Sequence, residues 1–284
     1  MIDRTCSSLL LIAAGLIALS YVRYARKHGP ARFDRVDLAC GGRRLANGTM
    51  QMGYWALQPL RRLCVRARVS ANTITWASLV LALGAGALIA FGHDGLAAIV
   101  ACASAIGDAL DGMVARETGT ASASGEVLDA ASDRYAEAFF LGGVAIGEHQ
   151  RPIVLALTLA ALIGSFMVSY ATSKAETFNL PPPRGVMRRP ERAACLIVGA
   201  TLTPLFDSAF IFPKFPLVAS VALVAAVANV SAIARLQKIA HAVGGAIDPR
   251  CPPGIAQIAP PRSVGIQPRA PEQPHAPEPM SDSR

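Results

Sequence analysis

The sequence predicts an all-α integral membrane protein, and two features of its composition support that fold class. Of its residues, 52% are hydrophobic and only 16% are charged, whereas soluble domains carry roughly 25% charged residues. The apolar residues also form long runs, several of which approach the ~20 residues that a transmembrane helix needs. The chain is therefore expected to cross a bilayer several times.

Seven apolar runs are predicted to span the membrane. Four contain no Asp, Glu, Lys or Arg, and they are residues 5–22, 74–92, 152–173 and 215–234. Three more are interrupted by acids or are shorter, and they are residues 96–115, 125–147 and 193–212. We interpret them as an extra N-terminal anchor followed by a six-helix core.

The first run could also be a secretory signal peptide. It is longer than the ~7–15 residues of a signal core, and Arg23, Arg26 and Lys27 follow it. We therefore expect residues 1–22 to be a transmembrane anchor with its N-terminus outside. Residues 23–48 are basic and show no clear periodicity, which predicts a cytoplasmic linker.

Residues 49–70 are predicted to form an amphipathic helix in the headgroup plane. Trp55, Leu57, Leu60 and Cys64 recur at roughly helical spacing, and arginines collect at the far end of the segment. Such a basic, Trp-bearing helix suits the membrane interface. A linker helix packed on protein is the alternative.

The rest of the chain divides into a core and a tail. The six-helix domain is expected over residues 71–243. Nine prolines among the last 34 residues leave little capacity for a packed core, so residues 244–284 are expected to be a disordered tail. The six cysteines show no metal-binding spacing, and we expect free thiols.

The net charge of +8 does not indicate a nucleic-acid partner, because the Lys and Arg residues lie between apolar runs and form no basic domain. Their positions instead indicate the orientation of the chain in the membrane. One side of the membrane collects most of them: Arg61, Arg62, Arg66, Arg68, Arg116, Arg134, Lys174, Arg184, Arg188, Arg189, Arg192, Arg235 and Lys238. The other side has only Arg151 and Lys214. The positive-inside rule then places the basic loops in the cytoplasm, with the chain in the cell (inner) membrane.

Two pairs of aspartates stand at helical spacing within the apolar region. Asp108 and Asp111 are three residues apart, and Asp129 and Asp133 are four apart, so each pair lies on one helix face. Acids inside a membrane are costly and usually functional. Clustered carboxylate oxygens suit Mg²⁺ or Mn²⁺. The pattern therefore predicts a divalent-metal site.

The residues between the two pairs suit a phosphorylated ligand. The connection from Arg116 to Gly125 is short enough for an antiparallel helix pair, which would bring both acidic faces together near the cytoplasmic interface. Gly112 and Ala115 remove side-chain bulk one turn apart, so a ligand can approach the helix closely. Arg116 has a planar guanidinium group whose N–H groups can donate hydrogen bonds to phosphate oxygens. Ion pairing of the acids with nearby arginines alone would not explain the small residues.

The complete pattern resembles the signature of the CDP-alcohol phosphotransferase family of integral membrane enzymes. Its eight specified positions are Asp108, Asp111, Gly112, Ala115, Arg116, Gly125, Asp129 and Asp133. The resemblance extends over residues 55–240. In the segment "ANTIT", Asn72 and Thr75 match the family, whereas Ala71 replaces its proline.

This resemblance implies a reaction and a set of site residues. Two Mg²⁺ or Mn²⁺ ions would be held by Asp108, Asp111 and Asp129, with Asp133 completing the metal site and acting as general base. The donor would be CDP-diacylglycerol, and CMP would be released. A soluble CDP-alcohol is the alternative donor. The resemblance also implies a homodimer and a CDP-binding set: Asn72, Thr75, Asp108, Gly112, Ala115, Arg116 and Gly125.

One segment indicates which alcohol acts as the acceptor. This segment, "SYATSKAETFNLPPPRGVMRRPER", resembles the inositol-phosphate-using branch of the family. Thr172 and Arg188 depart from that branch, which often has lysine and glutamate there. The resemblance implies acceptor binding by Lys174, Arg192 and Arg235. A polyol phosphate such as inositol phosphate is therefore favoured, with glycerol 3-phosphate as the alternative.

Two other classes of membrane protein also use buried acids. Intramembrane prenyltransferases hold Mg²⁺ on Asp-rich helices, but they spread their acids over two distant motifs. An ion-coupled transporter would favour acids near the midplane on inverted-repeat helices, and no repeat is visible. Release of CMP from CDP-diacylglycerol discriminates these classes from the phosphotransferase.

Overall fold

A computed structural model describes residues 1–31, 33, 44–181, 185–206, 209 and 212–244. Within these residues the secondary structure is helical, which confirms the all-α fold class. The eight helices are α1 (Ile2–His28), α2 (Arg44–Arg66), α3 (Ala71–Ala90), α4 (Asp94–Glu117), α5 (Ala123–Gly147), α6 (Pro152–Thr177), α7 (Arg189–Phe206) and α8 (Phe215–Gly244).

Five of these helices, α1, α3, α4, α6 and α8, are long and apolar enough to cross a membrane. The chain is an integral membrane protein. The other two predicted spans fall on α5 and α7, which carry clusters of charged residues in their first halves. The total of seven spans therefore stays a prediction.

Both N-terminal helices are longer than expected. The structure continues α1 to His28 and begins α2 at Arg44, inside the stretch that the sequence predicts as linker. Arg26, Lys27 and His28 form the last turn of α1, where positive charge is favourable beside the negative end of the helix dipole. Cys40, Cys251, Arg184, Asp207 and residues 245–284 lie outside the described residues. The described cysteines Cys6, Cys64, Cys102 and Cys195 are free thiols.

The helices that carry the aspartates pack through glycines that leave no room for side chains. A Cβ atom on Gly86 of α3 would lie 2.2 Å from the carbonyl oxygen of Phe139 in α5. A Cβ on Gly107 of α4 would lie 2.2 Å from Oγ of Ser78 in α3. Backbones that approach this closely allow little sliding. These contacts allow α4 and α5 to pack closely against α3.

Serine residues define where two of these helices begin. Ser70 is the N-cap of α3, and its Oγ accepts a hydrogen bond from the Thr73 amide. Ser122 is the N-cap of α5, and its Oγ accepts a hydrogen bond from the Gly125 amide at 3.1 Å. Side-chain caps of this kind fix the helix start. In α5 the cap places Asp129 in the second turn.

Candidate active site

Three of the four predicted metal ligands converge. One carboxylate oxygen from each of Asp108, Asp111 and Asp129 lies within 4.8 Å of the other two. The first two residues are on α4 and the third is on α5, so the antiparallel pair brings the two acidic faces together as the sequence predicts. Ligand oxygens on one Mg²⁺ lie at most about 4.2 Å apart. Small side-chain rotations would therefore let all three bind one cation.

Asp111 is the most buried of these acids, at 4% exposure, and it is held from α3. The hydroxyl of Thr75 donates a hydrogen bond to Asp111 Oδ2 at 2.6 Å. Thr75 is predicted to bind CDP, and in the structure its hydroxyl also orients a predicted metal ligand. Asn72, on the first turn of the same helix, is exposed and accessible to a ligand.

Gly112 has a role inside the protein that its spacing does not reveal. A Cβ atom at this position would lie 3.0 Å from Nη1 of Arg116, so the missing side chain makes room for that guanidinium. Arg116 is otherwise exposed at the end of α4. Ala115 is partly buried beside it. These positions are compatible with the predicted contact to phosphate, and the structure adds a fixed place for the arginine.

Asp133 lies apart from the three converging carboxylates. Arg189, the first residue of α7, forms ion pairs with Asp108 and Asp133, and its Nη1 lies 2.6 Å from Asp133 Oδ1. That Oδ1 atom is buried and accepts no hydrogen bond from the described residues. The contact is therefore close but not aligned, which leaves lone pairs on Asp133 available to a proton.

Arg189 stays positively charged at this site. Burial disfavours its charged form, but the hydrogen bonds and charge of Asp108 and the charge of Asp133 outweigh that effect. The pKa of the Arg189 guanidinium is consequently raised above its ordinary value. A permanent cation thus stands between a predicted metal ligand and the predicted base.

Arg192, which is predicted to bind the acceptor, is buried and hydrogen-bonded inside the protein. Its Nε and Nη2 donate to the two carboxylate oxygens of Glu137 at 2.6 and 2.8 Å, and Nη1 donates to the Met187 carbonyl at 2.8 Å. The arginine is 1% exposed. The bidentate pair joins α5 to α7, and the third hydrogen bond reaches the segment before α7, so Arg192 donates three hydrogen bonds to two residues.

The other two predicted acceptor residues lie in different surroundings. Arg235 on α8 is 5% exposed, and its Nη atoms make long contacts of 3.4 Å to Thr172 Oγ1 and the Val186 carbonyl. Its Nε is buried and has no hydrogen-bond partner among the described residues. Lys174 instead lies 5.7 Å above the ring of Tyr170, on its own helix. Residues two apart on a helix do not share a face, so Lys174 points away from the side where Thr172 meets Arg235.

A pocket of about 70 Å³ opens beside Asp133. Asp133, Glu137 and Arg189 form its polar wall. The remaining walls come from α3, α4, α5 and α7 and are mostly small and apolar: Ala82, Ala85, Ala101, Ser104, Ala105, Ala136, Phe140, Ala193, Leu196 and Ile197. A substrate group that enters this cavity would reach the carboxylate of Asp133.

The sequence prediction missed the partners that come from other helices. From the sequence, Arg189 is only a weaker candidate for binding the acceptor phosphate, and Glu137 has no predicted role. Glu137 follows Asp133 by four residues, so helical spacing alone could have extended the acidic face to it. Nothing in the spacing pairs it with Arg192, because that contact requires α5 and α7 to be neighbours.

Comparison with known families and proteins gives a consistent result. A family model described as CDP-alcohol phosphatidyltransferase matches residues 68–233. Phosphatidylinositol phosphate synthase of Mycolicibacterium smegmatis is 33% identical over 165 residues, which cover 56% of this chain and 71% of the relative. Archaetidylinositol phosphate synthase of Pyrococcus horikoshii is 38% identical over 122 residues, covering 42% of this chain and 63% of the relative.

Solved structures of one such enzyme share this fold. Mycobacterium tuberculosis phosphatidylinositol phosphate synthase with CDP-DAG bound is 26% identical, with a TM-score of 0.56, and the match covers 64% of this chain and 92% of that chain. The same enzyme in complex with manganese and citrate is 25% identical with a TM-score of 0.57, covering 64% of this chain and 87% of that one. The manganese complex and the carboxylate cluster of this chain together indicate divalent-metal use.

Proposed function

Because this chain belongs to the CDP-alcohol phosphatidyltransferase family, and is thus a membrane transferase of phospholipid synthesis, we propose a specific reaction for it. The phosphatidyl group of CDP-diacylglycerol is transferred to a hydroxyl of inositol phosphate, and CMP leaves. The relatives named phosphatidylinositol phosphate synthase, and one of their structures with CDP-DAG bound, support this pair of substrates.

The observation that carries the proposal is the convergence of Asp108, Asp111 and Asp129, with Asp133 ion-paired to the same arginine as Asp108. The donor set fits a hard divalent cation, since all four ligands are carboxylates. We place two Mg²⁺ or Mn²⁺ ions on these four residues. Bound there, they would neutralise the diphosphate of the donor and the departing CMP.

The residues of the chain itself hold and activate the substrates. Asp133 accepts the proton of the attacking hydroxyl on its carboxylate, which lines the adjoining pocket and is ion-paired with Arg189. Arg116 and Asn72 are exposed at neighbouring helix ends and are proposed to contact the CDP moiety. Thr75 keeps Asp111 oriented through its hydrogen bond. The proposed CDP-binding set is completed by Thr75, Asp108, Gly112, Ala115 and Gly125. The last three are small residues that let the ligand approach the helices closely.

The acceptor phosphate is assigned first to Arg235. Its buried Nε lacks a hydrogen-bond partner among the described residues, so it has donor capacity for an anion. Arg192 and Lys174 remain proposed acceptor residues, although hydrogen bonds of Arg192 to Glu137 and Met187 must be exchanged before it can bind phosphate. Glycerol 3-phosphate is the next candidate, because it presents the same charge and a hydroxyl.

A panel of acceptors tests the reaction. Purified protein, Mn²⁺ and CDP-diacylglycerol are incubated with inositol phosphate, glycerol 3-phosphate, serine or inositol, and the lipid product is identified by mass. We expect efficient product formation only with inositol phosphate, and none after chelation of the metal. Turnover restricted to an unphosphorylated alcohol would refute the acceptor assignment but would leave the transfer reaction standing.

The site is proposed to face the cytoplasm of the cell (inner) membrane, on the basis of charge asymmetry. Ala121 is exposed in the connection between α4 and α5, and it does not cap a helix as Ser122 does. Ala121→Cys in a cysteine-free background should resist an impermeant thiol reagent in intact cells and react after lysis. Labelling in intact cells would reverse the orientation.

We also propose a homodimer, which light scattering of the purified protein would test.

A further inference from the structure

The N-terminal helix α1 lies outside the residues that the family model matches, yet it makes specific polar contacts with the core. We call the end of the bundle that carries Asp108 and Asp111 the site end, and the end where α4 begins at Asp94 the far end. All the contacts described next lie at the far end. They are made by consecutive residues of α1, Asp3 and Arg4.

Asp3 caps α4 from another helix. Its Oδ1 accepts hydrogen bonds from the amides of Gly95 and Leu96, both at 3.1 Å, and its Oδ2 lies 3.4 Å from His93 Nδ1. The N-cap residue of α4 itself, His93, forms no side-chain cap bond. A carboxylate at this position satisfies free amides and opposes the positive end of the helix dipole. The start of α4 therefore depends on α1.

The fit between the two helices is steric as well as polar. A Cβ atom on Gly95 would lie 2.2 Å from the backbone oxygen of Asp3, so only glycine allows this approach. Ser7, one turn further along α1, is completely buried. A helix that served only to anchor the chain in lipid would need neither a glycine contact nor a buried serine.

Arg4 makes the matching contact to a second helix. Its Nε donates a hydrogen bond to the Pro204 carbonyl near the end of α7 at 3.0 Å. The site end of α7 carries Arg189, which pairs with Asp108 of α4. Two neighbouring residues of α1 thus hold the far ends of two helices whose site ends meet in the active site.

We propose that α1 is a positioning element of the catalytic core, in which Asp3 and Arg4 set the axial register of α4 and α7. The distance from Gly95 to Asp108 along α4 is about 20 Å at 1.5 Å per residue. Because a packed helix moves as a rigid body, displacement of its far end also displaces Asp108 and Asp111 against the carboxylates of α5. This inference rests on the proposed metal site.

The test measures metal binding rather than turnover. The full-length protein in detergent is titrated with Mn²⁺, and free Mn²⁺ is followed by electron paramagnetic resonance. Asp3→Leu removes the cap, and Gly95→Ala forces α1 away while keeping the Asp3 carboxylate. Both should weaken Mn²⁺ binding by about three- to tenfold. Asp3→Asn keeps an oxygen acceptor and should bind Mn²⁺ like the parent.

Thr5→Val is the matched control. Thr5 lies on the same turn of α1, and its hydroxyl bonds only within that helix, to the Met1 carbonyl. A merely structural role of α1 would lower the melting temperature of Asp3→Leu and Gly95→Ala and leave their Mn²⁺ affinity unchanged, which would overturn the proposal. If Asp3→Leu does not fold, Gly95→Ala and Arg4→Met decide. Absence of Mn²⁺ binding in the parent would instead refute the metal site, and the inference with it.

Discussion

The two ends of the bundle both bury acidic side chains, but they neutralise them differently. At the far end, Lys214 lies 3.2 Å from Asp94 and 3.5 Å from Glu148, and Arg151 lies 2.9 Å from Glu148. Two carboxylates there face two cations. At the site end Asp108, Asp111 and Asp129 converge, and Arg189 forms ion pairs with Asp108 and with the nearby Asp133.

This difference separates a structural cluster from a functional one. Buried ions that are paired and hydrogen-bonded can persist without any ligand, whereas like charges held together in a low-dielectric region repel unless a cation joins them. Asp94 and Glu148 are 4% and 7% exposed, so the far end is no less buried than the site end. Burial alone therefore does not identify the active site, whereas the convergence of carboxylate oxygens from two helices does.

The largest expected effect comes from the base at the site end. Asp133→Asn keeps the shape of the side chain but removes its ability to take a proton, so kcat should fall about 10²- to 10⁴-fold. Melting temperature should be unchanged or higher, since a repelling charge is removed. Initial rates of CMP release measure the effect. Near-parental turnover with normal metal dependence would show that Asp133 is not the base.

The next effect concerns the bidentate pair between α5 and α7. Arg192→Met leaves Glu137 buried without its partner, which should cost about 3–5 kcal/mol of stability. Adding Glu137→Leu should restore much of this loss, because both charges are then absent. Unfolding in denaturant compares the single and double variants. A stable Arg192→Met variant with a raised KM for the acceptor would mean that Arg192 serves the substrate instead.

A smaller effect is expected for the acceptor pocket. Loss of one charge-assisted hydrogen bond is worth about 1.5–3 kcal/mol, so Arg235→Ala should raise the KM for inositol phosphate about ten- to hundredfold. The KM for CDP-diacylglycerol should stay near the parental value. Lys27→Ala is the control, because Lys27 is an exposed cation in the last turn of α1. Equal effects of the two variants would argue for a general loss of positive charge.

The smallest effect on catalysis is expected at the far end. Glu148→Gln weakens the ion pairs to Lys214 and Arg151 and should cost about 1–3 kcal/mol of stability. Its kcat should remain within about twofold of the parent, because this network lies at the other end of the bundle from the acids of the site. Thermal unfolding and CMP release on the same preparation check both statements. A kcat loss as large as that of Asp133→Asn would erase the distinction between the two ends.

The sequence predicts the parts of the site that lie within single helices. Spacings of three and four residues place Asp108 with Asp111 on one helix face, and the structure confirms that face and its meeting with Asp129. Long apolar runs likewise predict the membrane helices, because length and hydropathy are local properties.

The partners across helices could not be read from spacing. Arg189 and Glu137 find their partners only when α5, α7 and α4 are packed, and Asp3 caps a helix that begins 91 residues later in the chain. Counting charge offered one usable signal at the far end. Arg151 and Lys214 are the two cations expected on that side, and Asp94 and Glu148 are acids at the ends of neighbouring helices. Their pairing follows from electroneutrality.

The number of metal ions bound per chain tests most directly whether the aspartate cluster at the site end is the active site. Mn²⁺ binding is measured for the parent, for Asp129→Asn at the site end and for Glu148→Gln at the far end. We predict about two Mn²⁺ per chain for the parent and for Glu148→Gln, and a loss of at least one ion for Asp129→Asn. Full binding by Asp129→Asn, or lost binding by a folded Glu148→Gln variant, would contradict the assignment of the metal to the four aspartates.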